Sequence, residues 1–187
     1  PAGEKPRTQY SVPASPGTQV KIATDKEFPY TLAEIIVKHP ETKMRTTADY
    51  LQGMRNDIFN QMLNARLSEL TQKANPPFLF GRASYGGFIG HQDAFTSIAV
   101  AKPGELETAI KAVVAETERA RKFGFTETEF ERAKQDALTQ MENAYKERDK
   151  TKSVRFVQEY QQNFLQGEAI PGIEYEYNFF KDNIGRI

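Results

Sequence analysis

Histidine, a principal ligand of catalytic zinc, occurs only twice in this 187-residue sequence. His39 stands in HPETK and His91 in HQDAF, and neither has a second histidine three to five residues away. The zinc-protease motifs HEXXH and HXXEH are therefore absent. A metal site would require both histidines and several carboxylates to converge from separate elements, whereas a surface or strand-end histidine is the ordinary interpretation. We predict no metal ligand and no catalytic residue in this chain.

Motifs for a nucleophile or for phosphate binding are missing as well. The nearest approach to the serine elbow G-X-S-X-G is GRASYGG, where Ser84 follows Gly81 by three residues rather than two. The glycines in this stretch do not precede a helix, as a phosphate-binding loop requires. The sequence has no cysteine, which excludes thiolate catalysis and cysteine-ligated zinc.

Charged residues are numerous but balanced, with 25 Lys and Arg against 25 Asp and Glu. A formal net charge of zero favours neither nucleic acid nor an anionic membrane as a partner. Glu127, Glu129 and Glu131 could supply paired carboxylates, but they alternate with Arg132 and Lys134 and are typical of a solvated helix face. Several arginines could gather into a patch that binds peptide or nucleic acid, namely Arg82, Arg119, Arg121, Arg132 and Arg155. The acidic residues interleaved among them favour dispersed surface charge instead.

The composition of the first residues and the hydropathy of the chain indicate its domain organisation. No apolar run approaches the roughly 20 residues that a membrane-spanning helix needs. Residues 1–17, rich in Pro, Gly, Ser and Thr, are typical of an interdomain linker within a longer protein. Residues 18–187 are then expected to form a single domain.

Strands are expected in the first half of that domain. VKIATD (20–25) alternates apolar and polar residues, and TLAEIIVKHP (31–40) is rich in β-branched residues and stopped by Pro40. Between residues 78 and 90, aromatic residues with scattered glycine indicate a twisted or bulged strand, and its hairpin partner is expected at 94–104 across a turn at 86–93.

Helices fill the rest of the pattern. Apolar residues at three- and four-residue spacing predict helices at about 47–73, from Pro103 to Lys122, from Thr126 to about 149 and at 152–166. The last segment, GIEYEYNFFKDN, fits a strand by alternation or a short helix, and we favour the helix because Pro171 and Gly172 resemble a helix entry. Thr126 and Glu129 form a capping box, with Phe125 and Phe130 at the staple positions. The order of elements predicts an α+β fold, a mainly antiparallel sheet with helices on one face.

Several segments in this order resemble the pitrilysin-type zinc peptidases, which include mitochondrial processing peptidase and bacterial zinc proteases. They are AEIIVKHP, the helix ending LNARLSEL, PPFLFGRASYGGF, and the helix pair joined by KFGFTETEFERAKQ. The resemblance covers about residues 18–183 and is greatest to the bacterial members. It rests on the order of the segments rather than on any single motif.

The resemblance implies a protein built from repeated α+β units whose two halves close around a peptide. One unit carries HXXEH and binds zinc, while the others form the chamber wall and contact substrate. Because this chain lacks HXXEH, it resembles a unit without metal, most plausibly the second one. Zinc is then expected in a neighbouring domain of the same polypeptide, a peptide is the expected substrate, and export to the periplasm is the expected location. The alternative is a catalytically inactive structural or peptide-binding subunit of the same fold.

The resemblance also implies substrate contacts for Arg66, Arg82 and Tyr85. Arg66 occupies the position of a family arginine that holds peptide backbone together with a strand tyrosine six residues later. That tyrosine is absent here, because residues 71–77 intervene before the strand. A structural role for Arg66 stays open, in which it pairs with Glu69 or Glu34 and its stem covers apolar neighbours.

Overall fold

The computed structural model describes residues 3, 8, 10, 12, 13, 16–89 and 91–187. Their regular elements follow the predicted order of strands and helices. In chain order they are β1 (Thr31–Pro40), α1 (Thr47–Thr71), β2 (Phe80–Gly87), β3 (Gln92–Ala101), α2 (Leu106–Phe123), α3 (Glu127–Lys146), α4 (Ser153–Gln166) and α5 (Ile173–Asn183).

The three strands form one antiparallel sheet in the order β1-β3-β2. β3 lies in the centre because it forms a short hairpin with β2 and also pairs with all of β1, from Thr31 opposite Ala101 to Pro40 opposite Gln92. Of the twisted or bulged strand predicted for this segment, the bulge is excluded, since the register of β2 with β3 runs without interruption. The strands also extend further into the connection than predicted, so the turn lies between Gly87 and Gln92.

The strand predicted at 20–25 is wrong. These residues have no regular structure, and Val20 and Ile22 are 78% and 88% exposed. Alternation of apolar and polar residues favours a strand only where a neighbouring strand supplies main-chain partners. In the described part of the chain, β3 already pairs on both sides and no strand pairs with this segment.

Helices cover one face of the sheet, so the predicted α+β class is confirmed. The main core lies between that face and helices α1 and α2, where small sheet residues allow close approach of large helix residues. Its most buried members are Leu63, Leu67, Phe78, Ala83, Ala99, Ala101, Ala109 and Val113. Two smaller clusters join α1 to α3 and α5, centred on Ile58 and on Phe180.

Helix starts follow the capping residues. Thr46 and Asp49 form a complete capping box on α1, and Thr126 and Glu129 form one on α3. The expected start of α2 at Pro103 is wrong by three residues. Gly104 adopts a positive φ of 78° in a turn closed by the Glu105 N–H on the Lys102 carbonyl, which delays the helix to Leu106.

The last segment is a helix, as predicted, and it packs on α3. Tyr177 stacks on Tyr145 with ring centroids 4.7 Å apart, and Phe180 is buried beside Leu51 and Met54. No helix within residues 16–89 and 91–187 is long and apolar enough to cross a bilayer.

Most of the predicted linker, residues 1–17, lies outside the described residues. Of the part that is described, the Val12 carbonyl accepts a hydrogen bond from Gln92 and the Pro13 carbonyl accepts one from Lys38. These contacts bring the segment to the end of the sheet at which Pro40 of β1 lies opposite Gln92 of β3.

Candidate functional site

Arg66 lies inside the helical layer rather than on a surface. Its side chain is 9% exposed, and its guanidinium forms a two-pronged ion pair with Glu129 at the start of α3. The Nε–Oε1 distance is 2.5 Å and the Nη2–Oε2 distance is 2.8 Å. Such a planar pairing is the strongest hydrogen-bonding arrangement open to arginine.

Three further groups complete the surroundings of this guanidinium. Nη1 lies 3.4 Å from Oε1 of the buried Glu116 on α2, and Nη2 donates to the Gly124 carbonyl at 3.1 Å. The guanidinium carbon lies 4.5 Å from the centre of the Phe125 ring. The partners of Arg66 are therefore Glu129 and Glu116 from α3 and α2, and the expected pairing with Glu69 or Glu34 is wrong.

The ion pair changes the acidity of its members. The hydrogen bond from Arg66, with those from Thr126, lowers the pKa of Glu129 to about 2 against the opposing effect of desolvation. The hydrogen bond to Glu129 raises the pKa of Arg66. Because Glu129 also closes the capping box of α3, a single carboxylate joins α1 to the start of α3. We call Arg66, Glu116, Glu129 and Phe125 the three-helix junction.

Arg82 lies on the opposite side of the sheet. Alternation along β2 places it on the face away from the helices, in a row with Ile98 of β3 and Glu34 of β1. The next row, towards one end of the sheet, consists of Phe80, Val100 and Leu32. Leu32 and Phe80 are 42% and 51% exposed, so this outer face presents apolar surface to solvent.

Tyr85 lies on the helix-facing side, in the wall of an open cleft of about 370 Å³. Its ring meets that of His39 edge to face, with centroids 5.4 Å apart. The cleft is lined by Thr42, Gln52, Asn56, Phe59, Tyr85 and Phe95. The fold thus brings Arg66, Arg82 and Tyr85 to three different places, and they do not form one cluster. Their predicted roles in substrate contact stay predictions.

The two edges of the sheet differ in a way that the sequence analysis missed. Asn64 donates to the Ala83 carbonyl at 2.6 Å and accepts from the Ala83 N–H at 3.1 Å. Asn60 does the same for Tyr85, at 2.9 and 2.8 Å. Two asparagines one helical turn apart on α1 therefore occupy the main-chain groups at the outer edge of β2. Their position among the apolar residues of α1 is the signal that could have revealed them.

Between residues 31 and 37, the main-chain groups at the outer edge of β1 form no hydrogen bond with a side chain of the described residues. β1 pairs with β3 on one side, and its consecutive apolar residues Ile35, Ile36 and Val37 are 38%, 41% and 48% exposed. An exposed edge strand with apolar side chains is a template for pairing with another extended chain. We define the outer sheet surface as the β1 edge together with the Leu32, Phe80, Arg82 and Ile36 side of the sheet.

The histidines and carboxylates do not fit a zinc site. Within residues 16–89 and 91–187, no three such side chains are grouped as metal ligands would be. His39 packs against Tyr85, while His91 Nδ1 lies 3.3 Å from Oε1 of Glu41. Two histidines in these separate contacts supply no set of three ligands converging on one point.

The chain is similar in sequence to two proteases from Arabidopsis thaliana. It is 26% identical over 178 residues to a protein described as zinc protease PQQL-like, covering 95% of this chain and 16% of the relative. It is 27% identical over 123 residues to the chloroplastic stromal processing peptidase, covering 63% of this chain and 10% of that protein. No family model matches the sequence.

Solved structures share the fold. The first half of the periplasmic protease PqqL from Escherichia coli superposes with a TM-score of 0.79 at 18% identity, covering 87% of this chain and 35% of that one. An insulinase-family protease from Yersinia pestis gives a TM-score of 0.68 at 16% identity, covering 83% of this chain and 34% of that one. The chain therefore spans about a tenth to a third of the length of the chains that it matches.

Proposed function

We propose that this chain, whose similarity to zinc-protease domains in sequence and fold supports a pitrilysin-like protease domain, is a domain without metal in a zinc peptidase. In this proposal it forms part of the wall that encloses the peptide substrate. A neighbouring domain of the same polypeptide holds the zinc, which activates water for peptide hydrolysis. By analogy with the periplasmic protease PqqL, the parent protein acts after export.

The observation that carries the proposal is the pairing of zinc-protease similarity with the absence of HXXEH from the sequence. Similarity extends over 95% of the chain in one relative, yet His39 and His91 stand 52 positions apart. A domain that retains the fold without the ligands can still position substrate, because confinement beside a reactive centre raises effective concentration and orientation.

The outer sheet surface is the part of the domain best suited to meet a peptide. An extended peptide can add to the β1 edge through main-chain hydrogen bonds, while Leu32, Ile36 and Phe80 offer apolar contacts on the adjoining face. The β2 edge cannot accept a strand in the same way, because Asn60 and Asn64 occupy it. Recognition through main-chain groups would give broad sequence tolerance.

The test is peptide cleavage by the full-length polypeptide carrying the double substitution Leu32→Glu and Phe80→Glu. We expect the KM for an unstructured peptide to rise about ten-fold with unchanged zinc content, because charge on the wall disfavours apolar side chains of the substrate. Val114→Glu on α2 is the matched control, since Val114 is also partly exposed, at 38%, but lies in the helical layer.

An unchanged KM in the double variant would contradict a role of this surface in substrate enclosure. Full-length protein that neither binds zinc nor cleaves peptides would favour the alternative of an inactive structural or peptide-binding subunit.

A further inference from the structure

Helix α4 carries an apolar stripe that the described part of the chain leaves exposed. None of its residues is buried, although its pattern is strongly amphipathic. Val154, Phe156, Val157 and Tyr160 are 59%, 43%, 59% and 61% exposed. We call these four residues the α4 stripe.

The side of α4 opposite the stripe carries its two charged residues and is also largely exposed, with the side chains of Arg155 and Glu159 61% and 41% exposed. Arg155 and Glu159 lie one turn apart, with Nε and Oε1 4.0 Å from each other. Both act on Glu176 of α5, whose pKa is raised first by burial and then by the charge of Glu159, while Arg155 lowers it. At 100° per residue, the stripe occupies the opposite side of the helix. A surface helix normally packs its apolar side against the rest of its domain, and the α4 stripe lacks that cover in the described part of the chain.

The rest of α4 is depleted in charge. Only Arg155 and Glu159 are charged among its 14 residues, whereas α3 has eight charged residues among 20. Amides take the remaining polar positions: Gln158, Gln161, Gln162, Asn163 and Gln166. Surfaces at the core of protein interfaces are depleted in charged residues in the same way.

We propose that the α4 stripe packs against a neighbouring domain of the same polypeptide, an inference that rests on the proposed function. The stripe is then an inter-domain contact, and α4 is the element through which this domain is fixed in the larger protein. Apolar burial there would hold the outer sheet surface in a constant position relative to the metal-bearing domain.

The size of the stripe favours a tethered partner over a second copy of the chain. At about 200 Å² for a whole aromatic side chain, Phe156 and Tyr160 together expose about 200 Å², and the valines add to it. A stable complex of separate proteins needs roughly 800 Å² from each partner. A covalent tether supplies an effective concentration in the millimolar range, which makes a smaller contact sufficient.

Composition argues against a lipid surface as the partner. Helices that lie in a membrane interface carry a polar face rich in lysine and arginine. The polar side of α4 has one arginine, balanced by one glutamate, and otherwise amides.

Hydrogen exchange of α4 tests the inference when the 187-residue chain is compared with the full-length polypeptide. We expect the amides of α4 to exchange at least ten-fold more slowly in the full-length protein. Val157→Asp on the stripe should abolish that slowing. Gln162→Asp on the polar side should retain it, although it introduces the same residue into the same helix.

Equal exchange of α4 in the chain and in the full-length protein would overturn the proposal, as would equal effects of the two substitutions. Protection of α4 in the isolated chain at high protein concentration, which would indicate a second copy as the partner, would overturn it as well, as would protection only with anionic vesicles. Peptide cleavage and zinc content are measured on the same samples. If the full-length protein cleaves peptide but α4 is not protected, only this inference is contradicted. If α4 is protected but the protein neither binds zinc nor cleaves peptide, the proposed function is contradicted and the inter-domain contact is retained.

Discussion

The three-helix junction and helix α4 differ in how completely their side chains are partnered within the domain. At the junction, a buried arginine meets two carboxylates, a carbonyl and an aromatic ring, all within the chain. On α4, apolar side chains are exposed to solvent. Buried charge is costly unless it is paired, so the junction must be complete within this domain. The exposed apolar surface on α4 can instead be covered by a partner outside this domain.

The comparison separates stability from assembly. Substitutions at the junction should destabilise the isolated domain, because they break contacts that already exist. Substitutions on α4 should leave the isolated domain almost unaffected, because the contacts they break form only in the larger protein.

Arg66→Ala should have the largest effect. It leaves the buried carboxylate of Glu116 with Arg119 as its remaining cation, 3.6 Å away and largely exposed, and it removes the two-pronged pair with Glu129. We expect the free energy of unfolding to fall by about 3–5 kcal/mol, measured by urea denaturation at pH 7. Arg132→Ala, at an exposed position of α3, is the control and should change it by less than about 0.5 kcal/mol. An effect of Arg66→Ala as small as that of the control would mean that the arginine is not structural.

The second-largest effect should be a loss of stability at acid pH. The pKa of Glu129 is about 2 in the folded chain and 4.5 as its ordinary value, so its stabilisation is present above pH 4.5 and is lost as pH falls towards 2. The loss should reach roughly 3 kcal/mol at most. Urea denaturation between pH 5 and pH 2.5 measures it, and Glu129→Gln should flatten the dependence. An equal slope in the variant would show that other carboxylates cause it.

Removal of the helix cap should cost less. Thr126→Ala takes away the hydroxyl that accepts from the Glu129 N–H and donates to Glu129 Oε2. We expect a loss of about 1 kcal/mol in unfolding free energy, since Glu129 retains Arg66. Thr108→Ala, at an exposed position within α2, should stay within about 0.5 kcal/mol of the unaltered chain. Equal effects of the two substitutions would contradict the capping role.

Substitution on the α4 stripe should have the smallest effect on the isolated chain. Val157→Asp alters a side chain that is 59% exposed, so the free energy of unfolding should change by less than about 0.5 kcal/mol. Thermal and urea denaturation both measure it. A loss above 2 kcal/mol would show that the stripe is already packed within the chain, and the contrast with the junction would fail.

Local patterns predicted the helices and all three strands of the described sheet. The capping boxes at Thr46 and Thr126 fixed two helix starts, and β-branched residues marked β1, because each signal acts over a few neighbouring residues. The strand at 20–25 failed because pairing depends on a distant partner. The alternation of apolar and polar residues in this segment does not reveal whether a partner strand is available.

Long-range partners also explain what was missed at the site. Arg66 and Glu129 lie 63 positions apart, and no local rule connects a helix-end arginine to the capping residue of a later helix. Asn60 and Asn64 looked like ordinary helix residues until the β2 edge came beside them. For α4, the amphipathic pattern predicted the helix, but only the fold reveals that its apolar side points outward.

The most direct test of the account removes every histidine of this chain from the full-length polypeptide, by the double substitution His39→Ala and His91→Ala. With no cysteine available either, such a variant has lost the side chains on which a zinc site here would depend. The account predicts that the purified variant still contains one equivalent of zinc and still cleaves an unstructured peptide. Loss of the zinc together with the activity, in a protein that remains folded, would contradict it.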